Sequence, residues 1–312
     1  MKISFKLTYF FFCLLIVCSS CKKDEPKKIN PEIITAAKDI LDLSYGGNAA
    51  QKMDVYLPTN RTANTKLIIF IHGGSFVEGD KSDFTAVVKE LVREDFAVVN
   101  LNYRLVDQTG LYSSPPLHLA SAVKVKDQVS DVSLAVDYVL AHAKEWQVSE
   151  SKIAIAGHSA GATLALLYAY DIRNTNKVKA VANLAGALDQ TFPDVPDLIL
   201  QLVLPDYILE SGYRYTGYEV KQANISYYKE ISPIYVANAA QKVPTLTVFP
   251  ELNSVGDLPK QDRATFDAFT SKLNSLNVPN KFVQIAGADH QFTLKFNLVL
   301  KEVVDYFNVN LK

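Results

Sequence analysis

The chain contains 312 residues, with 32 Lys and Arg against 33 Asp and Glu, so its formal charge at pH 7 is −1. This balance excludes a broad electrostatic attraction to nucleic acid. A hydrophobic content of 48% with 13 Gly and 13 Pro excludes a disordered or fibrous chain. The three cysteines, Cys13, Cys18 and Cys21, all lie near the start, which excludes a disulfide scaffold or a Cys-ligated metal site in the rest of the chain.

The first 21 residues have the pattern of an export signal. Lys2 and Lys6 give a positive start, and the apolar run over residues 7–18 is too short to span a bilayer as a helix. Two serines and Cys21 follow, and the polar segment KKDEPKK begins directly after Cys21. That segment has the composition of a solvated tether. An ordinary cleaved signal peptide is one interpretation of this pattern.

The same segment resembles the leader of bacterial lipoproteins, although Cys18 departs from the usual residue at the third position before the cut. The resemblance implies a signal peptide over residues 1–20, acylation of Cys21 and a tether over residues 21–38. We therefore expect an exported protein that is lipid-anchored at Cys21 to a bacterial membrane, on its periplasmic face or at the cell surface. Attachment by more than one acyl chain is stable, whereas a single chain is marginal.

Beyond the tether, apolar runs alternate with amphipathic ones. An alternating run predicts an early edge strand and six apolar runs predict strands buried on both faces, at 53–57, 66–71, 96–101, 152–156, 178–183, 245–249 and 281–285. Helical periodicity predicts helices at 83–93, 131–146, 160–173, 263–276 and 294–309, with Asp131 at a helix start. This order predicts one α/β domain over residues 39–312, with a mostly parallel central sheet covered by helices on both faces.

One segment does not follow this alternation. Residues 188–238 are too long for a loop between a strand and the next strand, and so predict a small helical cap insertion. Seven of the chain's 16 tyrosines lie in this segment. They either pack the insertion onto the body or line the substrate pocket.

A serine motif lies between a predicted strand and a predicted helix. The run Gly157-His158-Ser159-Ala160-Gly161 is G-x-S-x-G in the setting that the motif requires. The sharp turn projects Ser159 above the edge of the sheet, so we expect Ser159 to be a nucleophile. The N–H of Ala160, at the start of the helix, then points at the oxygen of an attacked carbonyl.

A second glycine motif directly follows the strand predicted at 66–71. In His72-Gly73-Gly74-Ser75 the glycines let the backbone approach a substrate oxygen and donate N–H groups to it. We expect Gly73 or Gly74 to complete an oxyanion hole with Ala160. A phosphate-binding loop is disfavoured because no Gly-Lys-Ser/Thr follows at the required spacing.

A serine hydroxyl needs a general base, and histidine is the usual one near pH 7. Four of the five histidines lie in the two motifs above, in a Pro-rich loop or on a predicted helix, namely His72, His158, His118 and His142. His290 follows the last predicted strand, which returns it to the sheet edge where Ser159 is expected. The sequence therefore predicts His290 as the base.

These residues together resemble the α/β-hydrolase superfamily, and within it the HGG-type bacterial carboxylesterase-like branch that includes feruloyl and acetylxylan esterases. Further motifs of that branch are Tyr45-Gly46, Asp54-Val-Tyr-Leu-Pro58, Gly79-Asp80-Lys81, Asn102-Tyr-Arg-Leu105 and Ser232-Pro233. The resemblance covers about residues 40–310. It implies the α/β-hydrolase fold and a serine esterase that acts on a small-molecule ester through an acyl-enzyme, with no metal or organic cofactor. Amide cleavage, as by formamidases or peptidases, and a catalytically impaired binding module are the alternatives.

The acid of the expected triad is the one departure from the family pattern. Relatives usually have His-Gly-x-x-Asp after the seventh strand, where this chain has Phe249-Pro-Glu-Leu-Asn253. An amide cannot stabilise imidazolium by charge and can favour the wrong tautomer. We expect Asp257, four residues later on the same loop, to supply the acid. Glu251, Asp189 and Asn253 itself are the alternatives.

Overall fold

A single sheet of eight strands forms the centre of the structure, a computed structural model that describes Met1, residues 35–256 and residues 258–312. The strands in chain order are β1 (Lys38–Ser44), β2 (Lys52–Leu57), β3 (Leu67–Ile71), β4 (Ala97–Leu101), β5 (Ile153–His158), β6 (Ala180–Leu184), β7 (Thr245–Leu252) and β8 (Asn280–Asp289). They are arranged β1-β2-β4-β3-β5-β6-β7-β8; β3 to β8 run parallel, and β2 pairs antiparallel with both β1 and β4. The mostly parallel sheet is confirmed.

The seven predicted strands all occur, and β1 was not predicted. Its seven residues include two aspartates and are exposed or only partly buried, so the sequence lacks the apolar alternation of a half-buried strand. Its pairing with β2 is also interrupted between Ile40 and Leu43, where Asp42 adopts a left-handed backbone with φ 52°. A bulged edge strand of this kind leaves little periodic signal.

Nine α-helices connect the strands within the described ranges. They are α1 (Thr85–Arg93), α2 (Val125–Trp146), α3 (Ala160–Ala169), α4 (Asp197–Val203), α5 (Asp206–Thr216), α6 (Ile225–Lys229), α7 (Pro233–Val236), α8 (Arg263–Ser275) and α9 (Phe296–Asn310). The helices α2, α3 and α8 pack on one face of the sheet, and α1 and α9 pack on the other. Each large apolar side chain buried in these layers stabilises the fold by about 1.5–3 kcal/mol. Helices on both faces are confirmed.

The start of α2 differs from its prediction. The helix begins at Val125, six residues before the predicted start, because the carboxylate of Asp127 accepts the backbone N–H of Lys124 and caps the first turn. Asp131 is therefore inside the helix and is not the acid at its N-terminus. It is buried, and Arg104 Nη2 binds its carboxylate at 2.6 Å. Asp131 thus ties α2 to the segment after β4.

The segment 188–238 between β6 and β7 contains the four short helices α4 to α7. Arg214 of α5 is fully buried and binds Glu210 Oε1 through Nε at 2.7 Å. Its remaining N–H groups donate to backbone carbonyls of another loop, those of Asp107, Thr109 and Leu117. One guanidinium therefore fixes α5 against the loop that follows β4.

Residues 2–34 lie outside the described residues. They include Cys21, all of the predicted signal peptide except Met1, and most of the predicted tether. Within the described ranges, no helix combines the length and the apolar character needed to cross a membrane.

Replacing Arg214 with Met is expected to lower the free energy of unfolding by about 3–5 kcal/mol, because it breaks a buried ion pair and leaves three carbonyls without their donor. Urea unfolding followed by circular dichroism measures the loss. Arg93→Met is the matched control, since Arg93 is exposed and pairs with Glu90 on a helix surface. Equal losses for the two variants would contradict this account of Arg214.

Candidate active site

Ser159 lies at the tip of a strained turn between β5 and α3. Its backbone adopts φ 52° and ψ −123°, a conformation that non-glycine residues rarely adopt. A Cβ on Gly157 would lie 2.4 Å from the carbonyl of Gly161, and one on Gly161 would lie 2.3 Å from the carbonyls of Ile71 and His72. Only glycine therefore fits two residues before and two residues after the serine, which explains the spacing of the sequence motif.

The loop after β3 lines the same cavity as Ser159 through Gly73, Gly74 and Ser75. The carbonyl of His72 accepts the Tyr103 hydroxyl at 3.0 Å, and the carbonyl of Gly73 lies 2.6 Å from His72 Nδ1. Because C=O and N–H point in opposite directions across a trans peptide, the N–H groups of Gly73 and Gly74 face away from these partners. Gly74 has φ 112°, which favours glycine.

Two further side chains fix this loop by hydrogen bonds to its backbone carbonyls. Tyr215 of α5 donates its hydroxyl to the carbonyl of Ser75 at 2.8 Å, and Gln128 Nε2 donates to the carbonyl of Phe76 at 2.7 Å. In the part of the chain that the structure describes, the N–H groups of Gly73, Gly74 and Ala160 have no backbone acceptor. These three donors are therefore available to a substrate oxygen.

His290 faces Ser159 across the cavity, with Nε2 at 3.0 Å from Ser159 Oγ. The strands explain this placement. Ser159 follows β5 in the middle of the sheet and His290 follows β8 at its edge, and parallel strands end at the same side of a sheet. His158 fixes the His290 backbone, because its Nε2 lies 2.8 Å from the His290 carbonyl and must donate to it.

Asn253 is the residue that contacts the other ring nitrogen of His290. The last paired residues of β7 and β8 are Leu252 and Asp289, so the next residues along the two strands, Asn253 and His290, lie side by side. Asn253 Oδ1 is 2.8 Å from His290 Nδ1. The strand register therefore brings position 253 to the histidine.

The orientation of the Asn253 amide is fixed by a third group. Its Nδ2 lies 2.7 Å from the backbone carbonyl of Gln261, which can only accept a hydrogen bond. The amide nitrogen must face that carbonyl, so the amide oxygen faces His290. His290 then carries its proton on Nδ1 and leaves Nε2 free to accept the proton of Ser159.

The carboxylates considered in the sequence analysis have other partners or lie outside the described residues. Glu251 accepts the N–H of Gly287 at 2.7 Å and a hydrogen bond from Gln284 Nε2 at 3.1 Å, so each of its carboxylate oxygens has another partner. Asp189 binds Lys260 Nζ at 2.9 Å. Asp257, the acid expected from the sequence, lies outside the described residues.

Comparison with known proteins agrees with this architecture. The family model described as BD-FAE matches residues 53–196. The kynurenine formamidase of Danio rerio is 26% identical over 264 residues, which are 82% of this chain and 76% of that protein. Shorter matches to other curated proteins span 22% and 38% of those proteins.

Two solved esterases superpose on most of the chain. A truncated carbohydrate esterase from gut microbiota has a TM-score of 0.68 at 18% identity, covering 88% of this chain and 97% of that one. EstE1, a thermophilic carboxylesterase from a metagenomic library, has a TM-score of 0.67 at 23% identity, covering 89% and 90%. The chain has the α/β-hydrolase fold. In this fold, β5 leads into the serine turn and β8 is followed by His290.

Burial sets the protonation state of His290. The pKa of His290 is lowered to about 4, mainly by burial and to a smaller extent by the neighbouring His158, while Asp289 opposes the shift. Burial also lowers the pKa of His158. His290 is therefore neutral at pH 7 and can act as a base there.

The cavity around Ser159 is asymmetric. On one side a slot of about 20 Å³ lies between Ser159 and the insertion, and its lining includes Phe76, Gln190, Tyr215 and Leu258. On the other side an open groove of about 600 Å³ is lined by residues that include Glu78, Asp83, Phe84, Gln291 and Phe296. Tyr215 therefore both lines the slot and holds the loop after β3, which combines the two roles weighed for the tyrosines.

Sequence reasoning did not identify Gln261, Lys260, Tyr103 or Gln128 as parts of this site. Gln261 acts through its backbone carbonyl, which leaves no trace in residue identity. Asn253 was one of four candidates for the position beside His290. The pairing of β7 with β8 is the signal that favours it, because both predicted strands end a few residues before Asn253 and His290.

We predict that His290 remains neutral at pH 7, with its proton on Nδ1, and titrates near pH 4. Ring ¹⁵N chemical shifts measure both properties, because protonated and unprotonated nitrogens resonate far apart. Comparison with His290→Gln assigns the signals. A proton on Nε2 in the free protein would contradict the hydrogen-bond assignment, and titration near the ordinary value of about 6.5 would contradict the effect of burial on the pKa.

Proposed function

We propose that this protein is a serine hydrolase that cleaves carboxylic esters through an acyl-enzyme intermediate. The observation that carries the proposal is the 3.0 Å contact between Ser159 Oγ and a neutral His290 Nε2. It lies beside the unoccupied N–H donors of Gly73, Gly74 and Ala160. A paired nucleophile and base next to convergent N–H donors is the arrangement that acyl transfer requires.

In the first half of the reaction, Ser159 Oγ attacks the ester carbonyl carbon while its proton moves to His290 Nε2. The carbonyl oxygen becomes an oxyanion, which the N–H groups of Ala160 and of Gly73 or Gly74 stabilise. The bond between the carbonyl carbon and the alcohol oxygen then breaks. The His290 imidazolium returns the proton to that oxygen, so the alcohol leaves neutral and the acyl group stays on Ser159.

In the second half, His290 Nε2 takes a proton from water and the hydroxide attacks the acyl carbon. The oxyanion forms again at the same donors. When it collapses, Ser159 Oγ leaves and receives the proton from His290. The carboxylic acid is released and the free serine is restored, so His290 and Asn253 end in their starting states.

The shape of the cavity supports an ester with unequal halves. The slot beside Tyr215 has room for a few heavy atoms, whereas the groove beside Phe84 and Phe296 is open and about thirty times larger in volume. The smaller half of the ester fits the slot and the larger half fits the groove. The exposed carboxylates of Glu78 and Asp83 at the groove favour a neutral or cationic group there over an anionic one.

Amide cleavage is a second candidate because the matched relative from Danio rerio is named kynurenine formamidase and the match spans 82% of this chain. A formyl group is small enough for the slot. An amine needs a stronger proton donor than an alcohol when it leaves, and a buried imidazolium of low pKa is such a donor. Comparing the rate of hydrolysis of an aryl formamide with that of the matching aryl acetate shows whether amide or ester cleavage is faster.

Ser159→Ala is expected to abolish hydrolysis of p-nitrophenyl acetate above the solution background, because it removes the nucleophile. Initial rates at 405 nm measure the loss. Labelling by a fluorophosphonate, followed by peptide mass spectrometry, is expected at Ser159 in the wild type and to be absent in Ser159→Ala. Equal rates for the two proteins would refute the esterase proposal, and so favour a binding module that has lost its activity.

We also propose that the chain is exported and anchored by acylation of Cys21. This proposal rests on the sequence of the leader and on the polar segment that follows it. Cys21→Ser is expected to move the protein from the membrane fraction to the soluble or precursor fraction, with loss of metabolic labelling by palmitate. Cys18→Ser is the matched control and is expected to remain labelled. A Cys21→Ser protein that stays labelled in the membrane would refute the anchor.

A further inference from the structure

Position 253 lies between two groups with opposite requirements. On one side, His290 Nδ1 must donate a proton if Nε2 is to serve as the base, so it needs an acceptor. On the other side, the carbonyl of Gln261 lies 2.7 Å from the Asn253 side chain and needs a donor. An amide meets both requirements in one orientation. A carboxylate meets only the first.

We propose that this catalytic site is built around a neutral amide at position 253, and that Lys260 and Asp189 are positioning residues that keep the Asn253 amide oriented. The inference rests on the proposed function. It treats Asn253 as the functional third member of a Ser–His–Asn arrangement, and not as the remnant of an acid that has been lost.

Gln261 is held in place by its neighbour in the chain. Lys260 has a left-handed backbone with φ 57°, and its ammonium binds Asp189 Oδ2 at 2.9 Å and the hydroxyl of Thr191. Asp189 is buried, and its other oxygen accepts the N–H of Thr191 at 2.8 Å and its hydroxyl at 2.6 Å. This pair ties the loop after β7 to the segment after β6, so the Gln261 carbonyl cannot easily turn away.

The surroundings of His290 give it no direct negative charge within the described residues. Its nearest titratable neighbours are His158 on β5, which burial keeps neutral, and Asp289 on β8, which is exposed and accepts the N–H of Thr293 at 2.7 Å. Glu78 and Asp83 lie at the rim of the open groove. Asn253 therefore supplies orientation and a dipole to the ring, and the imidazolium forms without a paired carboxylate.

A site built for an amide and a decayed triad predict opposite effects of Asn253→Asp on turnover. If Asn253 merely replaced a lost acid, Asn253→Asp would restore the charge that stabilises imidazolium and raise turnover steeply, by up to about 10⁴-fold. In a site built for an amide, the new carboxylate would lie 2.7 Å from the Gln261 carbonyl, which cannot donate to it. Repulsion between these oxygens displaces the side chain or the loop.

The inference is tested by kcat and KM on p-nitrophenyl acetate at pH 7 for single and double variants, with urea midpoints to confirm folding. Asn253→Ala is expected to lower kcat by about 10²-fold or more while KM changes little, because His290 loses its fixed tautomer. Asn253→Asp is expected to fall below the wild type. Lys260→Met is expected to lower kcat, and Lys242→Met, at an exposed lysine, is the matched control.

The effect of Lys260→Met on kcat in two backgrounds separates a positioning role of Lys260 from a merely structural one. In the wild-type background Lys260→Met frees the Gln261 carbonyl and lowers kcat. In the Asn253→Asp background the same change relieves the repulsion between oxygens and is expected to raise kcat. The same loss in both backgrounds would overturn the positioning role of Lys260.

Two other results would overturn the inference and leave the esterase proposal intact. One is a gain of about tenfold or more for Asn253→Asp over the wild type, which is the behaviour of a decayed triad. The other is a steep loss for Asp257→Asn with little change for Asn253→Ala, which would assign the third position to Asp257. Failure of the proposed function is seen separately, as a wild-type rate no higher than that of Ser159→Ala.

Discussion

The hydrogen bond from His290 Nδ1 to Asn253 Oδ1 determines whether the other parts of the site can act together. If His290 carried its proton on Nε2 instead, the 3.0 Å contact with Ser159 Oγ would have no acceptor for the serine proton. The correct tautomer depends on the amide orientation, and that orientation depends on the carbonyl of Gln261. The pairing of Leu252 with Asp289 brings these groups together, so the register of the last two strands and the chemistry are linked.

Much of the fold and the two central residues of the site could be predicted from the sequence. Buried parallel strands produce continuous apolar runs, and a serine turn requires glycines at fixed positions, so β3 to β8 and Ser159 leave strong local signals. His290 could be placed because it follows the last strand. β1 could not be predicted, since its exposed, bulged sequence lacks periodicity.

Asn253, the third member of the Ser–His–Asn arrangement, could not be derived from the sequence in the same way. Its place is set by strand register and by a backbone carbonyl, and the loop that presents this carbonyl depends on the contact of Lys260 with Asp189, 71 positions apart. Asp189 was considered as a direct partner of His290. In the structure its carboxylate is occupied by Thr191 and Lys260, so it can influence the histidine only through the loop.

In the serine hydrolase that we propose, a neutral third member changes the electrostatics of the site. A carboxylate stabilises imidazolium and raises the pKa of the base, whereas an amide only orients it. Burial then lowers the pKa of His290 to about 4, which keeps the base unprotonated in mildly acidic solution and makes its imidazolium a strong proton donor. We therefore expect a slower attack by Ser159, because His290 is a weaker base, and an easier protonation of the leaving group by the imidazolium.

The central claim is tested most directly by a crystal structure of the fluorophosphonate adduct at a resolution that defines residues 253–261. We expect phosphorus bonded to Ser159 Oγ and a phosphonyl oxygen within hydrogen-bond distance of the N–H of Ala160 and of Gly73 or Gly74. We also expect Asn253 between His290 Nδ1 and the Gln261 carbonyl. A carboxylate of Asp257 bound to His290 Nδ1, with Asn253 turned away, would contradict the central claim.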